Sequence, residues 1–558
     1  MKKRISKFFA LILSVLLIAA AMPAVAFAAD FTGEGTPQNP FVIDSFAALK
    51  QLSDEVAAKN SFAGVSFVMT ADITAEQGFA PIGSKEAPFS GVFNGGGHFV
   101  SSVSVNGEYA GLFGYTVGAE LSDIGVRNST FSSSGSYAGA IVAYAEATAV
   151  KNCSVGALVN VYGYNYVGGI AGYMKTGVIL GCSLSSRASI SGYTEYCGGI
   201  AGYAGGLIKD CSTGAEISGY AYTGGIAGAS TAVIADCVNT GSIKGSTAVG
   251  GVAGEASGSI LRCANSGDIT QAYGDIGGVA GSGKGCTVSE SYNAGSVSAG
   301  GDFCGGIIGS AENAVVSSCY NRGAISTQAF VCGGIFGKAE NTAVSYCYNA
   351  AVITGTDTAG IGAKLNGTAA SCYYLEGSPA FISQNGSVTG CSALSSEALG
   401  VQDSFTGFDF NSVWEINGLH SYSYPVLKNN LKYHTLSFIR TVAPSCTLGG
   451  YSQYLCTGCQ NSYELEKLPA TGHSFSVTES KPASCTENGF TEYKCDNCSE
   501  SKREDFTATG HKDADNNNYC DVCNTVIDPS KVEEEKSFFE KIANFFNRIF
   551  AWIKNLFA

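Results

Sequence analysis

β-Branched residues recur along the central part of the chain with a period close to 27 residues. One stands three residues before a repeated cysteine and another six residues after it, as Ile208 and Ile217 do around Cys211. The first set is Val150, Ile179, Ile208, Ile234, Ile260, Val288, Val316 and Val344, and the second is Val159, Ile217, Ile243, Ile269, Val297, Ile325 and Ile353. Short β-branched stretches broken by Gly, Asn and Ser predict strands joined by tight turns.

A glycine phrase, Gly-Gly-(Ile/Val)-x-Gly, marks the same repeat. Its second glycine is Gly169, Gly199, Gly225, Gly251, Gly278, Gly306 and Gly334, in steps of 26 to 30 residues. Repeats of this length without long helical runs predict an all-β fold, a parallel β-helix whose equivalent residues form ladders about 4.8 Å apart. The spacing does not fix the handedness, and we expect a right-handed helix. Glycines are expected at corners that need a left-handed φ or a close backbone approach.

The repeat also carries cysteines. They are Cys153, Cys182, Cys211, Cys237, Cys263, Cys319, Cys347 and Cys372, with Ser291 in the missing place. In-register side chains on parallel strands point the same way, which is poor geometry for disulfides, so we expect mostly reduced core thiols. Cys304 and Cys332, one repeat apart, are the expected exceptions.

Both ends of the repeats carry candidate caps. Residues 44–59 have apolar side chains at helical spacing, with Asp44 or Ser45 as N-cap, and predict an amphipathic helix over the first coil. At the other end an aromatic cluster (Phe408, Phe410, Val413, Trp414 and Ile416, before Tyr424-Pro425-Val426-Leu427) predicts a closing cap. Open solenoid ends require such covers.

The opening of the chain resembles that of GLUG-motif proteins, a group of exported bacterial repeat proteins. The resemblance rests on Gly33–Thr36, Pro40–Ile43, Ala71–Thr74, Phe89–His98 and Ala110–Gly114, and it spans about residues 30–430. It implies a β-solenoid on the cell surface, and it does not imply peptidase activity.

A Cys/His-rich tail follows from residue 434. The first unit has His434, Cys446, Cys456 and Cys459, the second has His473, Cys485, Cys495 and Cys498, and a shortened third runs from His511 to Cys520 and Cys523. One His and three Cys per unit can form a tetrahedral zinc site, and small units without a core need such a staple. Disulfides and a loose spacer remain alternatives, as does calcium at Asp513-x-Asp515-x-Asn517. The units resemble Ala-Thr-Gly-His repeats of exported proteins from anaerobic Gram-positive bacteria, which implies such a source.

The final segment, 529–558, predicts an amphipathic helix. Its apolar stripe is Phe538, Phe539, Ile542, Phe545, Phe546, Ile549, Phe550, Ile553, Leu556 and Phe557. From Lys541 onward it has three basic residues and no acid. Packing on the preceding units is one explanation; contact with a membrane surface or self-association is the other.

The first residues predict export. Lys2, Lys3, Arg4 and Lys7 precede an apolar run, and Ala26-Phe27-Ala28 fits signal peptidase cleavage near Ala29. Without this leader the chain has 28 Lys and Arg, four fewer than the whole sequence, against 46 Asp and Glu, a net charge of −18. That excess argues against nucleic acid as a partner. The predicted divisions are 1–29 signal peptide, 30–108 cap and first strands, 109–395 repeats, 396–433 closing cap, 434–528 tail units and 529–558 helix.

The pattern favours a secreted or cell-surface binding or spacer protein over an enzyme. Asp236, Asp268 and Asp302 do not recur at one coil position, and no pair of histidines has metalloprotease spacing. A carbohydrate-active β-helix is the alternative. The densest aromatic patch (Tyr162, Tyr164, Tyr166, Tyr193, Tyr196, Tyr220 and Tyr222) either braces coil corners or contacts an unidentified glycan or protein.

Overall fold

The computed structural model describes residues 31–327, 331–416, 423–428, 436–456 and 462–556. The chain divides into two compact units, Met1–Tyr433 and His434–Ala558. The predicted signal peptide, residues 1–29, lies outside the described residues.

The compact unit Met1–Tyr433 contains a parallel β-solenoid of about 12 turns, which confirms the predicted fold class. Each turn crosses three sheets, named here face A, face B and face C. Face C is crossed by two strands, as Val159–Gly163 and Tyr166–Gly168 show, and face A by two more, such as Ala171–Met174 and Gly177–Leu180. Ser183–Leu184 then crosses face B in a single short strand.

The strands of all three faces pair in parallel with the equivalent strands of neighbouring turns. Face A contains Phe41–Ile43, Ser66–Met69, Val92–Asn94, Phe113–Val117, Glu120–Ser122, Val142–Glu146, Thr148–Lys151, Ala171–Met174, Gly177–Leu180, Ala201–Ala204, Leu207–Lys209, Ala227–Ser230, Ile234–Ala235, Ala253–Ala256, Ser259–Leu261, Ala280–Lys284, Thr287–Ser289, Ile308–Glu312, Val315–Ser317, Phe336–Ser345, Gly362–Ala370, Phe381–Gln384 and Ser387–Thr389. Face B contains Ile73–Thr74, Phe99–Ser101, Gly125–Arg127, Ser154–Val155, Ser183–Leu184, Ser212–Thr213, Val238–Asn239, Ala264–Asn265, Tyr292–Asn293, Tyr320–Asn321, Tyr348–Asn349, Tyr373–Leu375 and Ser392–Leu394. Face C contains Ser104–Ala110, Ser129–Gly139, Val159–Gly163, Tyr166–Gly168, Ser189–Gly192, Cys197–Gly198, Glu216–Ser218, Ala221–Gly224, Ile243–Lys244, Thr247–Gly250, Ile269–Ala272, Ile276–Gly277, Val297–Ala299, Phe303–Gly305, Ile325–Thr327, Val331–Gly333, Ile353–Thr354 and Thr358–Ala359.

The predicted β-branched positions form inward ladders. Ile208 pairs with Ile234, and Ile217 pairs with Ile243, each in register with the next turn. Both ladders are buried along the repeats, apart from the half-buried Ile353 near the end. The repeat cysteines are buried free thiols, and so are Cys304 and Cys332, which lie in register on neighbouring strands.

The corners use two different devices. The residue before the repeat cysteine has a left-handed φ in turn after turn, and it is usually not glycine: Asp210 has φ 55° and Asp236 has φ 56°. At the Gly-Gly corner the requirement is space. A Cβ on Gly199 would lie 2.2 Å from the carbonyl oxygen of Gly225 in the next turn. The glycine phrase therefore records a close backbone approach rather than a left-handed turn.

A buried asparagine ladder, which the sequence analysis did not identify, runs beside the cysteines. It consists of Asn239, Asn265, Asn293, Asn321 and Asn349, two residues after the repeat cysteine or Ser291. The side-chain amide of each of the first four donates to the amide oxygen of the next asparagine at 2.8 to 2.9 Å. These buried amides satisfy one another, which holds the turns in register.

The two ends are covered in different ways. Helix α1 (Phe46–Ala57) begins at the predicted N-cap Ser45, whose hydroxyl accepts from the backbone N–H of Ala48, and its apolar side packs into the core of the first turns. The aromatic segment predicted to close the far end lies instead against the outer side of face B. Trp414 contacts the rings of Tyr320 and Tyr348 there. The short 3₁₀ helices Ala398–Gly400 and Gln402–Ser404 and the strand pair Trp414–Glu415 and Val426–Leu427 belong to this segment.

The compact unit His434–Ala558, which contains the tail units, has two three-stranded antiparallel sheets and a helix among its described residues. The first sheet consists of Leu436–Val442, Gly450–Cys456 and Ser462–Leu468, and the second of Phe475–Lys481, Gly489–Cys495 and Ser501–Phe506. Helix α2 spans Pro529–Leu556. Among the described residues, no helix is long and apolar enough to cross a membrane.

Candidate metal centres and tyrosine surfaces

Two clusters of one histidine and three cysteines lie in the tail. The first consists of Cys446, His473, Cys495 and Cys498, and the second of Cys485, His511, Cys520 and Cys523. In each cluster the candidate ligand atoms all lie within 4.8 Å of one another. The two clusters have the same arrangement of ligand atoms. A thiol–thiol separation of 3.5 Å and a thiol–Nδ1 separation of 3.3 Å occur in both clusters.

Each cluster joins two consecutive units, which corrects the expected grouping within one unit. Cys485 does not lie with His473, Cys495 and Cys498; it lies with the ligands of the third unit. The reason is the strand Gly489–Cys495, which separates Cys485 from Cys495. Seven residues of extended chain span about 20 Å, so one ion cannot bind both thiols.

The Ala-Thr-Gly-His sequence brings the histidine to the thiol of the preceding unit. The backbone N–H of Thr471 donates to the carbonyl of Ser445, next to Cys446, and Thr509 donates likewise to Ser484. The following glycine, Gly472 or Gly510, has a φ of 72° or 71°, which other residues rarely adopt. These contacts explain why the motif needs a glycine between the threonine and the histidine.

Neighbouring groups prepare the clusters for a cation. The Nε2 atom of His473 lies 3.1 Å from a carboxylate oxygen of Glu500, so its Nδ1 faces the three thiols. Hydrogen bonds from the backbone N–H groups of Cys523 and Val522 lower the pKa of the Cys520 thiol. Thiolates and neutral imidazole are the ligands that zinc prefers, so these residues can hold a divalent metal.

The remaining candidate ligands stand apart from these clusters. His434 and Cys459 lie outside the described residues, and of Cys456 only the backbone is described. Asp513, Asp515 and Asp521 lie close together, but Asp513 already accepts from the backbone N–H groups of Asn517 and Asn518. Their grouping is that of an acidic turn stabilised by its own backbone.

The tyrosines of the solenoid divide into two populations. One forms two stacked columns at the glycine corner. The first column is Tyr109, Tyr137, Tyr166, Tyr196 and Tyr222, with ring centroids 5.0 to 5.4 Å apart, and the second is Tyr115, Tyr144, Tyr173 and Tyr203, at 4.3 to 5.1 Å. Burial raises the pKa of Tyr109 and of Tyr196 to about 12. Their ring faces cover one another, so this population braces the corner.

The second population is an exposed row, Tyr164, Tyr193, Tyr220 and Tyr273, whose side chains are 50 to 64% exposed. Tyr164 and Tyr193 meet edge to face, with centroids 5.7 Å apart. Beside them face C has a groove of about 350 Å³, lined by Thr130, Asn160, Val161, Tyr162, Ser189, Ser191 and Tyr193. The groove thus combines hydroxyl and amide groups with aromatic rings and contains no charged side chain.

Comparison with known proteins gives distant similarities. No family model matches the chain. The chain is similar to halomucin of Haloquadratum walsbyi, 34% identical over 105 residues, which cover 16% of this chain and 1% of halomucin. The similarity therefore concerns a very small part of that protein.

Two solved structures align with most of the chain. A crystal structure of a candidate immunoglobulin A1 protease from Bacteroides ovatus covers 71% of this chain and 94% of its own, with 18% identity and a TM-score of 0.33. Tailspike protein 2 of the Escherichia coli O157:H7 bacteriophage CAB120 covers 86% and 67%, with 10% identity and a TM-score of 0.18. Alignments this distant carry no argument about activity.

Asp275 is a partly buried carboxyl group of the solenoid. Burial, and then the negative charge of Asp302, raise its pKa to about 6, against the opposing effect of Lys338. Burial also raises the pKa of Glu255. Asp275 precedes the strand Ile276–Gly277 on face C, whereas Glu255 lies on the face A strand Ala253–Ala256 of the turn before.

The terminal helix keeps its aromatic side exposed. Phe538, Phe539, Phe545, Phe546 and Phe550 are 54 to 69% exposed, so they are not packed on the tail units. Packing on those units was one of the two explanations for the apolar stripe.

Proposed function

We propose that this protein is an exported, surface-presented binding protein whose solenoid holds a neutral glycan on face C. The observation that carries the proposal is the groove beside the exposed tyrosine row. Its Thr, Asn and Ser side chains can hydrogen-bond sugar hydroxyls, and Tyr193 offers an exposed ring against which a sugar can stack. The resemblance to GLUG-motif proteins and the predicted leader support presentation outside the cell.

Binding without turnover is the proposed mode. Glycoside hydrolysis needs two carboxyl groups placed on either side of the bond, and the residues that line the groove include none. The alternative, a carbohydrate-active enzyme, would have to use carboxyl groups such as Asp275, which does not line the groove.

The test is retention of the purified chain on immobilised mucins, plant polysaccharides and matrix proteins, with released sugar ends assayed in the same wells. We expect saturable retention on a glycan without product. Tyr193→Ala should lower the affinity at least tenfold. Tyr273→Ala, which removes an equally exposed ring outside the groove, is the matched control. Retention that both variants lose equally, or released product, would contradict the proposal.

For surface retention we propose that helix α2 lies on an anionic membrane surface. Its exposed phenylalanines can enter the acyl boundary while Lys541, Arg548 and Lys554 meet anionic headgroups. The full chain should sediment with phosphatidylglycerol vesicles, and Phe545→Ser/Phe546→Ser should reduce this severalfold. Binding that is equal on neutral phosphatidylcholine vesicles, or unchanged in the variant, would contradict the proposal.

A further inference from the structure

The tail clusters carry an inference that does not depend on the proposed glycan binding. We infer that each holds one zinc ion and that each ion bridges two consecutive units. The Ala-Thr-Gly-His repeats then form a metal-linked chain. The ligand sets are Cys446 with His473, Cys495 and Cys498, and Cys485 with His511, Cys520 and Cys523.

The separations fit a tetrahedral site. Zinc–sulfur bonds of ~2.3 Å place two sulfurs ~3.8 Å apart, and a sulfur and an imidazole nitrogen slightly closer. The observed 3.5 Å between Cys446 Sγ and Cys495 Sγ, and 3.3 Å between Cys498 Sγ and His473 Nδ1, lie near these values. The second cluster repeats both distances. Three thiols cannot all pair as disulfides within one cluster, whereas a metal uses all four ligands.

The shared sites also account for the unequal units. The third unit has His511, Cys520 and Cys523 but no counterpart of Cys446 and Cys485. Within one unit it would have three ligands, yet Cys485 of the second unit supplies the fourth. The first cysteine of a unit binds the ion that the unit shares with the following unit. The His and the Cys-x-x-Cys of a unit bind the ion that it shares with the preceding unit.

The ions would stabilise the tail by joining consecutive units. The units contain little apolar core: among the described tail residues, the buried side chains of hydrophobic type are Cys446, Cys485, Cys495 and Cys520. The hydrogen bonds of Thr471 to Ser445 and of Thr509 to Ser484 lie within one unit, so they do not join it to the next. Four metal–ligand bonds per junction would therefore fix one unit on the next and make the array rigid.

The test is the metal content of the full chain, purified with reductant and zinc and measured by mass spectrometry of the metal. Cys485→Ser and His511→Ala should each lower the content by one ion, and the double variant should lose the same single ion because both residues serve one site. Cys485→Ser/His473→Ala should lose two. If each ion were instead bound within one unit, Cys485→Ser/His511→Ala should lose two ions and Cys485→Ser/His473→Ala should lose one.

Cobalt substitution keeps the test independent of folding defects. Cys446→Ser should weaken the thiolate-to-cobalt absorption of one centre and leave the other intact, with unchanged circular dichroism of the solenoid. A native chain without bound metal whose peptides show a Cys446–Cys495 disulfide would overturn the inference. So would loss of one ion in Cys485→Ser/His473→Ala.

Discussion

The solenoid and the tail are both built from repeats, but they are held together by different means. Each turn of the solenoid buries its Ile, Val and Cys side chains against the next turn, and its backbone pairs in register on three faces. The first two tail units are each a small sheet, and the outer strands of the second, Phe475–Lys481 and Ser501–Phe506, are largely exposed. The solenoid depends on many weak contacts, whereas the tail, with the ions proposed above, depends on four ligands at each junction.

In both regions a repeat is completed by its neighbour. A turn has no core until the next turn covers it, and a tail cluster has no fourth ligand until the previous unit supplies a cysteine. The difference lies in how damage spreads. Loss of one solenoid contact removes a fraction of the total stability, while loss of one ligand of a proposed zinc site should disconnect two tail units.

The largest expected effect is metal removal from the tail. A chelator with reductant should abolish hydrogen-exchange protection in the strands Gly450–Cys456 and Gly489–Cys495, because the units lack an apolar core. The solenoid strands should keep theirs. Exchange measured by mass spectrometry on the full chain reads both regions at once, and tail protection that survives chelation would contradict this contrast.

The next largest effect is expected at the Gly-Gly corner. Gly199→Ala places a Cβ 2.2 Å from the carbonyl oxygen of Gly225, so the turns must move apart, at a cost of about 3 kcal/mol in the free energy of unfolding. Gly107→Ala, where no atom lies within 4 Å of the added carbon, should change it by less than about 0.5 kcal/mol. Urea denaturation distinguishes them, and equal costs would refute the close-approach explanation.

The asparagine ladder should show an intermediate effect. Asn293→Leu leaves the N–H of Asn265 and the amide oxygen of Asn321 without their partners, which should cost about 2 kcal/mol. Asn106→Leu changes an exposed position on face C and is the control. If the two variants unfold at the same urea concentration, the ladder does not contribute to the stability of the turns.

The smallest expected effect concerns Asp275. Its raised pKa of about 6 means that the folded chain binds the proton more tightly than the unfolded chain, so stability falls as the pH rises from about 4 through 6. Asp275→Asn should therefore increase the free energy of unfolding at pH 7.5 by about 1 kcal/mol, since partial exposure screens the effect. Asp302→Asn should give a smaller increase, because burial is the larger cause. If Asp275→Asn instead lowers the free energy of unfolding at pH 7.5, the prediction is contradicted.

Much of the solenoid could be predicted because its signal is repeated. The period of Ile208 and its equivalents, the Gly-Gly phrase and helix α1 are local patterns that tertiary contacts reinforce. The asparagine ladder was also legible, as Cys-x-Asn at Cys237, Cys263, Cys319 and Cys347, but polar residues in a strand pattern were interpreted as turns. The aromatic segment around Trp414 was recognised as a cover, although its place against face B was not.

The sequence by itself determined the repeat, the strand-rich class of the solenoid and the identity of the candidate ligands, because each depends on short spacings that recur along the chain. Only the tertiary structure decided which ligands meet and which tyrosines remain exposed. Cys485 and Cys495 are ten residues apart in the chain but are separated by the extended strand Gly489–Cys495, and Cys446 reaches Cys495 across a unit boundary. Stacking covers the faces of Tyr166 and Tyr196, while Tyr193, three residues away, stays open at the groove. Spacing along a chain fixes local conformation, but proximity depends on how extended segments fold back on one another.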